Sequence, residues 1–267
     1  MSKRAWYLGC GPEDVAERAV VVGDPSRVDL FVEHLDDVRT VGDDRGLRVV
    51  TGASDGVPLT ICAFGMGAPV AVIVLEELAE LGVRTVLRVG TVMTLEAGAL
   101  GGLVVARAAL RGEKTSATYV PDGYPALPDL DLLFGTLVAL ERLNERYRIG
   151  LVASFDGFYS EMFAASPGRD ESVAMRLRAL ADVGVIALDM ETSALLVVAS
   201  RLGVRAGSLC LASVDGWTRA KLEGDARRDG EARLVAATLA TISNHDGLLT
   251  TAIAEAARSP TTAGEEE

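Results

Sequence analysis

"AVVVGDPSRVDLF", residues 19–31, decides how the chain is read. A run of small apolar residues passes straight into Gly23, Asp24 and Pro25, with Arg27 two positions on. A short apolar run closed by turn residues reads as a buried strand, and Pro25 suits the first position of a following helix. Backbone N–H groups exposed at the glycine turn, a helix end and one planar guanidinium together suit an anion of the phosphate type. The plain alternative is an ordinary strand–turn–helix whose arginine faces solvent.

Working outward, similar apolar runs bounded by Gly, Asp or Pro recur at Leu47–Thr51, Leu59–Phe64, Thr85–Val89, Leu103–Ala106, Gly150–Ala153, Val185–Leu188 and Ala206–Ala212. With Ala19–Val22 they make eight expected strands. Helix-period segments lie between them at Pro25–Leu35, Pro69–Leu81, Leu130–Tyr147, Asp170–Asp182 and Met190–Leu202, and one long helix is expected from about Asp225 to Ala257. Strands alternating with amphipathic helices imply a single-domain, three-layer α/β/α fold with a mixed, largely parallel central sheet. Eight strands also leave room for a closed sheet. The expected domain covers residues 1–258, and "SPTTAGEEE" at 259–267 reads as a flexible acidic tail.

Composition removes several classes of function. The 38 acidic against 26 basic residues give a net charge of −12, which opposes binding to a nucleic-acid backbone. Lysine is confined to Lys3, Lys114 and Lys221, so nearly every cation is arginine. Acid-rich, arginine-biased composition fits a salt-adapted cytosol, and equally a GC-rich genome. Apolar stretches are broken well before the ~20 residues a membrane span needs, and the basic start "MSKRAWYLGCGPED" lacks the apolar core of a signal peptide. A cytoplasmic protein with no membrane partner is expected. Cys10, Cys62 and Cys210 are too scattered for a disulfide framework and read as reduced thiols, and with only His34 and His245 no metal site is expected.

Two further segments carry chemistry. "TVLRVGTVM", 85–93, places Arg88 inside a buried strand, with Thr91 supplying a hydroxyl and an amide near its end. A buried arginine requires an anion, either a ligand or an internal carboxylate. "IALDMETSALLVVASRLG", 186–203, passes from strand to helix at Asp189-Met190-Glu191. Glu191 there either caps the helix or accepts hydrogen bonds from two adjacent sugar hydroxyls, with Met190 as a polarizable surface for the sugar. Phosphate and ribose together suggest a reaction of nucleosides.

Taken in order, "YLG" (7–9), "VVVGDPSRV" (20–28), "EELAELGVRTVLRVGT" (76–91), "VASFDGFYS" (152–160), "DMETSALL" (189–196) and "GVRAGSL" (203–209) resemble the nucleoside phosphorylase family of uridine phosphorylase and the hexameric purine nucleoside phosphorylases. The resemblance spans almost the whole chain. It implies reversible phosphorolysis of a nucleoside to free base and pentose 1-phosphate, with inorganic phosphate as co-substrate and no cofactor. It implies a phosphate site of Gly23, Arg27, Arg88 and Thr91, with Arg45 lent by a neighbouring subunit, and hence a homo-oligomer built from dimers, up to a hexamer. Arg88 and Glu191 are the catalytic pair it implies. Glu191, Met190 and Tyr7 correspond to the ribose contacts, Tyr7 standing across the interface where many members have histidine. Phe158 corresponds to the aromatic that covers the base.

The resemblance departs from pattern at the base. Uridine phosphorylases of this type grip the uracil edge with Gln and Arg, four and six positions after the Phe158 counterpart, where this chain has Met162 and Ala164. Purine members place an Asp where this chain has Val214, and Asp215 follows one residue later, on the opposite strand face unless a bulge intervenes. Asp215 is therefore either a base contact or a loop cap, and Met93 also points to an altered base pocket. The overall pattern is closest to uridine phosphorylase. Purine nucleoside phosphorolysis, nucleoside hydrolysis and noncatalytic nucleoside binding are the alternatives.

Overall fold

A computed structural model of the chain describes residues 4–163, 167–244 and 246–258. The apolar runs form the strands β1 (Arg18–Val22), β3 (Leu47–Ser54), β4 (Val57–Ala63), β5 (Thr85–Thr94), β6 (Leu103–Arg111), β7 (Tyr147–Ser154), β8 (Val185–Asp189) and β9 (Arg205–Asp215). A ninth strand, β2 (Asp36–Asp44), lies at the edge beside β3. Its sequence DDVRTVGDD is charged and mostly exposed, so no apolar pattern announces it, and the same charges discourage pairing with another chain.

The sheet runs β2-β3-β4-β1-β5-β8-β7-β6-β9, and β9 also pairs with β5. That extra pairing closes β5, β8, β7, β6 and β9 into a ring. Small and β-branched residues, Val92, Val104, Ala106, Val152, Ala187, Cys210 and Ala212, fill its interior, as a ring of so few strands demands. The pairs β1–β4, β1–β5, β5–β9, β6–β7 and β7–β8 are parallel, whereas β2–β3, β3–β4, β5–β8 and β6–β9 are antiparallel. The mixed α/β reading holds, with closure as the added feature.

Helices cover both faces. Helices α2 (Ala68–Leu81) and α5 (Thr192–Leu202) pack into one apolar layer, and α1 (Arg27–Val32), α3 (Leu130–Arg142) and α6 (Gly224–Asn244) into the other. Helix α4 (Pro167–Asp182) closes a third cluster around Met93, Phe155, Met162 and Leu188. The single long helix expected near the end is two helices, because α6 stops at Asn244 and α7 begins at Leu248, after Gly247 at φ 70°. A positive φ is costly for most residues in a helix, so the continuous apolar period conceals this break. Helix α1 is also shorter than expected, with Ser26 at its N-cap and Pro25 outside it. The expected tail at 259–267 falls outside the described residues. No helix among the described residues is long and apolar enough to cross a membrane.

The N-terminal segment is fastened to this frame by one carboxylate. Glu77 on α2 accepts from the Tyr7 and Leu8 amides, each at 2.8 Å at the closest. The segment crosses β2 so closely that a Cβ on Gly42 would stand 2.3 Å from the Leu8 carbonyl oxygen. Gly42→Ala should therefore destabilise the protein by about 1–3 kcal/mol, read as a lowered midpoint in urea or on heating. An unchanged midpoint would mean that this crossing is not closely packed.

Candidate active site

The carboxyl ends of β1, β4, β5, β8 and β9 surround a cavity of about 460 Å³, a volume suited to one small-molecule substrate. At one end it is lined by Gly23, Asp24, Pro25, Arg27, Arg88, Gly90, Thr91, Glu191 and Arg227. At the other it is lined by Val92, Met93, Phe158, Met162, Leu188, Met190, Ser213 and Val214. Charge thus collects at one end and apolar surface at the other.

Arg88 is the centre of the charged end. Its side chain is only 4% exposed, and Nη2 lies 2.6 Å from Glu191 Oε2 and 3.1 Å from Asp189 Oδ2. Nη1 donates to the Cys210 thiol, while Nε is buried without a hydrogen-bond partner among the described residues. Burial alone would favour the neutral form, but Asp189, Cys210 and Glu191 outweigh it and hold the guanidinium pKa above its ordinary value. A raised folded-state pKa gives stabilisation that is complete below the ordinary arginine value, so Arg88 does not titrate at working pH. Gly90, two residues along and on the same strand face, makes room for it: a Cβ there would lie 3.2–3.3 Å from the guanidinium. Burial pushes the Cys210 thiol pKa up despite Arg88, so the thiol is a neutral acceptor.

The two carboxylates beside Arg88 have different work. Asp189 caps α5: it accepts from the Thr192 amide at 3.2 Å and the Glu191 amide at 3.3 Å, as well as from the Thr192 hydroxyl and from Ser154 Oγ at 2.5 Å. Glu191 occupies the N-cap position of α5, yet its side chain caps nothing. It reaches across to accept from the Gly67 amide at 2.7 Å and from Arg88. The capping alternative for Glu191 is thereby assigned to Asp189, and Glu191 faces the cavity beside Met190.

Arg27 is buried, with Glu231 Oε1 3.4 Å from Nη2, and its Nε has no hydrogen-bond partner among the described residues. The short α1 begins at Arg27 itself, so the expected contribution of a helix end to anion binding falls to the Gly23–Ser26 turn and the guanidinium. Beside it, burial opposes ionisation of Asp24, but hydrogen bonds from Ser26 and the charges of Arg27 and Arg227 hold its carboxyl below the ordinary range. Arg227, on α6, lines the cavity although nothing in the sequence reading singled it out. Its signal was faint: an i, i+4 pair with Glu231 looks like any exposed helix pair.

At the apolar end Phe158 begins a single π-helical turn, Phe158–Met162, and stacks on Phe163 with centroids 5.7 Å apart. Met162 and Met93 are buried against it, and Ala164 falls outside the described residues. The bulge that Asp215 would require is present: Val92 pairs with Ala212 and Met93 with Val214, leaving Ser213 as the extra residue. It delivers Ser213 and Val214 to the cavity, whereas Asp215 is absent from its lining and accepts from the Trp217 and Thr218 amides at 2.9 and 2.8 Å. The loop-cap alternative is the one this geometry carries. Tyr7 and Arg45 are not among the residues lining the cavity; they lie together, with the Arg45 guanidinium 5.5 Å from the Tyr7 ring centre. Arg45 sits in the β2–β3 turn at φ 56°. Among the described residues no cluster of His, Cys, Asp and Glu is arranged to hold a metal.

The sequence profile of the phosphorylase superfamily matches residues 17–244, which contain every cavity-lining residue. The chain belongs to the phosphorylase superfamily. A guanosine phosphorylase of Halorubrum lacusprofundi is 39% identical over 204 residues, covering 76% of this chain and 79% of that protein. A uridine phosphorylase of Thermococcus kodakarensis is 36% identical over 210 residues, covering 77% and 75%. Among solved structures, uridine phosphorylase from Vibrio fischeri in complex with 6-hydroxy-1-naphthoic acid matches with a TM-score of 0.79 and 30% identity, over 90% of this chain and 97% of that one. Purine nucleoside phosphorylase from Toxoplasma gondii, in complex with immucillin-H, shares the fold at a TM-score of 0.81 and 22% identity, over 91% and 97%. Within the superfamily the chain stands with the nucleoside phosphorylases, which are pentosyltransferases.

Removing Arg88 would leave Asp189 and Glu191 buried without their shared cation. Arg88→Met should lower stability by about 3–5 kcal/mol, as measured by chemical denaturation. A loss below about 1 kcal/mol would show that the carboxylates are adequately served by Gly67, Ser154 and Thr192.

Proposed function

We propose that this protein catalyses the reversible phosphorolysis of a nucleoside. The observation that carries the reading is Arg88, which lines the anion end of the cavity while lying 2.6 Å from the carboxylate of Glu191. Phosphate at the arginines and a ribose held by Glu191 are then neighbours, as bond exchange at C1′ requires.

In the forward direction the glycosidic C1′–N bond breaks and its electron pair leaves with the base. A phosphate oxygen bonds to C1′, and the proton of hydrogen phosphate ends on the base. The transition state resembles an oxocarbenium sugar, stabilised by the adjacent anion, as in glycoside chemistry generally. No covalent nucleophile is needed. Arg27 and Arg88, with the Gly23 and Thr91 region, orient phosphate and neutralise its charge, while Glu191 accepts from the ribose hydroxyls and Met190 packs on the sugar. The adjacent Tyr7 and Arg45, which are not among the residues lining the cavity, are assigned to a neighbouring protomer's ribose and phosphate ends, making the active form a homo-oligomer.

Phe158, Met93, Met162 and Val214 offer the base a face to stack on, with Ser213 as a polar side chain on the same cavity wall. The uracil-edge pair is missing from the sequence, so the base pocket differs from that of uridine phosphorylases. A purine nucleoside is the second reading, supported by the Met162 substitution and by the relative named guanosine phosphorylase.

Uridine, guanosine, inosine and adenosine should each be incubated with the protein in phosphate and in phosphate-free buffer, with release of base followed. Release that depends on phosphate, with pentose 1-phosphate formed one for one, is expected for at least one of them. Equal release in both buffers would identify a hydrolase, and binding without release a noncatalytic protein.

A further inference from the structure

Arg227 and Glu231 have no role in the mechanism above, yet they stand at its anion end. Glu231 Oε1 lies 3.3 Å from Arg227 Nε and 3.4 Å from Arg27 Nη2, so one carboxylate oxygen is divided between two guanidinium groups. The two arginines differ in how firmly they are placed. The Arg27 side chain is 4% exposed and that of Arg227 is 44% exposed. Arg227 nevertheless lines the same cavity, and its charge acts on Asp24 in the turn that leads to Arg27. Its placement is therefore at the anion end rather than among the apolar residues around Phe158.

We propose that Arg227 is a further phosphate-binding residue contributed by the same protomer, able to exchange its contact with Glu231 for one with phosphate. The energetics favour this exchange. At 3.3 Å, with the Arg227 side chain 44% exposed, solvent screens this contact, so Arg227 leaves it at little cost. Glu231 is not stranded by the departure, because it keeps Arg27, whose burial makes the partner more valuable. A dianion entering beside two guanidinium groups gains a charge-assisted contact from a third. Glu231 acts as a positioning residue, holding both arginines at one edge of the cavity.

This inference rests on the phosphorolysis reading, so its test includes a measurement that needs no turnover. Binding of inorganic phosphate is measured by calorimetry in the parent protein, Arg227→Gln and Arg227→Lys, and steady-state KM values for phosphate and nucleoside are measured alongside. Arg227→Gln should weaken phosphate binding and raise the phosphate KM about tenfold, with nucleoside KM nearly unchanged. Arg227→Lys should recover part of the loss, because it restores charge without the planar fork. An unchanged phosphate affinity in Arg227→Gln would overturn the proposal, as would a change confined to nucleoside KM, which would assign Arg227 to the base. A parent protein that binds phosphate but only hydrolyses nucleosides would refute the phosphorolysis reading while leaving the Arg227 comparison intact. A parent protein that binds no phosphate would overturn both.

Discussion

The contact between Arg88 and Glu191 governs this architecture. A guanidinium buried in a strand is costly to desolvate, and here the cost is offset by two carboxylates and a thiol drawn from β8, the start of α5, and β9. Those partners are in place because β5 pairs with both β8 and β9, which is the pairing that closes the strand ring. The fold therefore positions the site by the same hydrogen-bonded ladders that hold the barrel together. Gly90 leaves the space into which the guanidinium folds, so one missing side chain on β5 is as much a part of the site as the charges.

Asp189 and Glu191 show how a two-residue spacing at a strand–helix junction separates structural from chemical duty. Asp189 turns back to satisfy the amides of the first turn of α5 and is itself held by Ser154 and Thr192. Glu191 is thereby released from capping and crosses to the Gly67 amide and Arg88. In the proposed reading, a carboxylate fixed by two donors keeps its lone pairs oriented for the sugar, which reduces the ordering cost of binding. The opposite end of the cavity does the reverse: in the proposed reading, Met93, Met162 and Met190 around Phe158 offer a base adaptable thioether surfaces more than groups that read its edge.

Much of this was legible in the sequence because buried strands and amphipathic helices leave periodic signals. The eight apolar strands and the arginine inside "TVLRVGTVM" could be read from composition of the runs alone, and the ordered series of short motifs supplied the family. What could not be read has physical causes. Strand β2 is stabilised by edge pairing with β3 and has no buried face to pattern it. The break before α7 depends on local backbone conformation inside an otherwise continuous period. Asp189 and Glu191 both sit where a cap is expected, and only the three-dimensional path of each side chain shows which one caps. Asp215 required a bulge to reach the base, and the bulge exists but feeds Ser213 and Val214 inward instead. Arg227 carries no sequence signal of its own, because it meets Arg27 through Glu231, which the fold brings to Arg27 from the opposite end of the chain.

The coupling of anion and sugar through Arg88 and Glu191 is tested most directly by Glu191→Gln, with phosphate affinity and nucleoside KM measured on the same preparation. The account predicts that both deteriorate together, because the substitution weakens the ribose acceptor and simultaneously removes a charge that orients Arg88. A variant in which the nucleoside KM rises while phosphate binds as before, or in which neither changes, would contradict it.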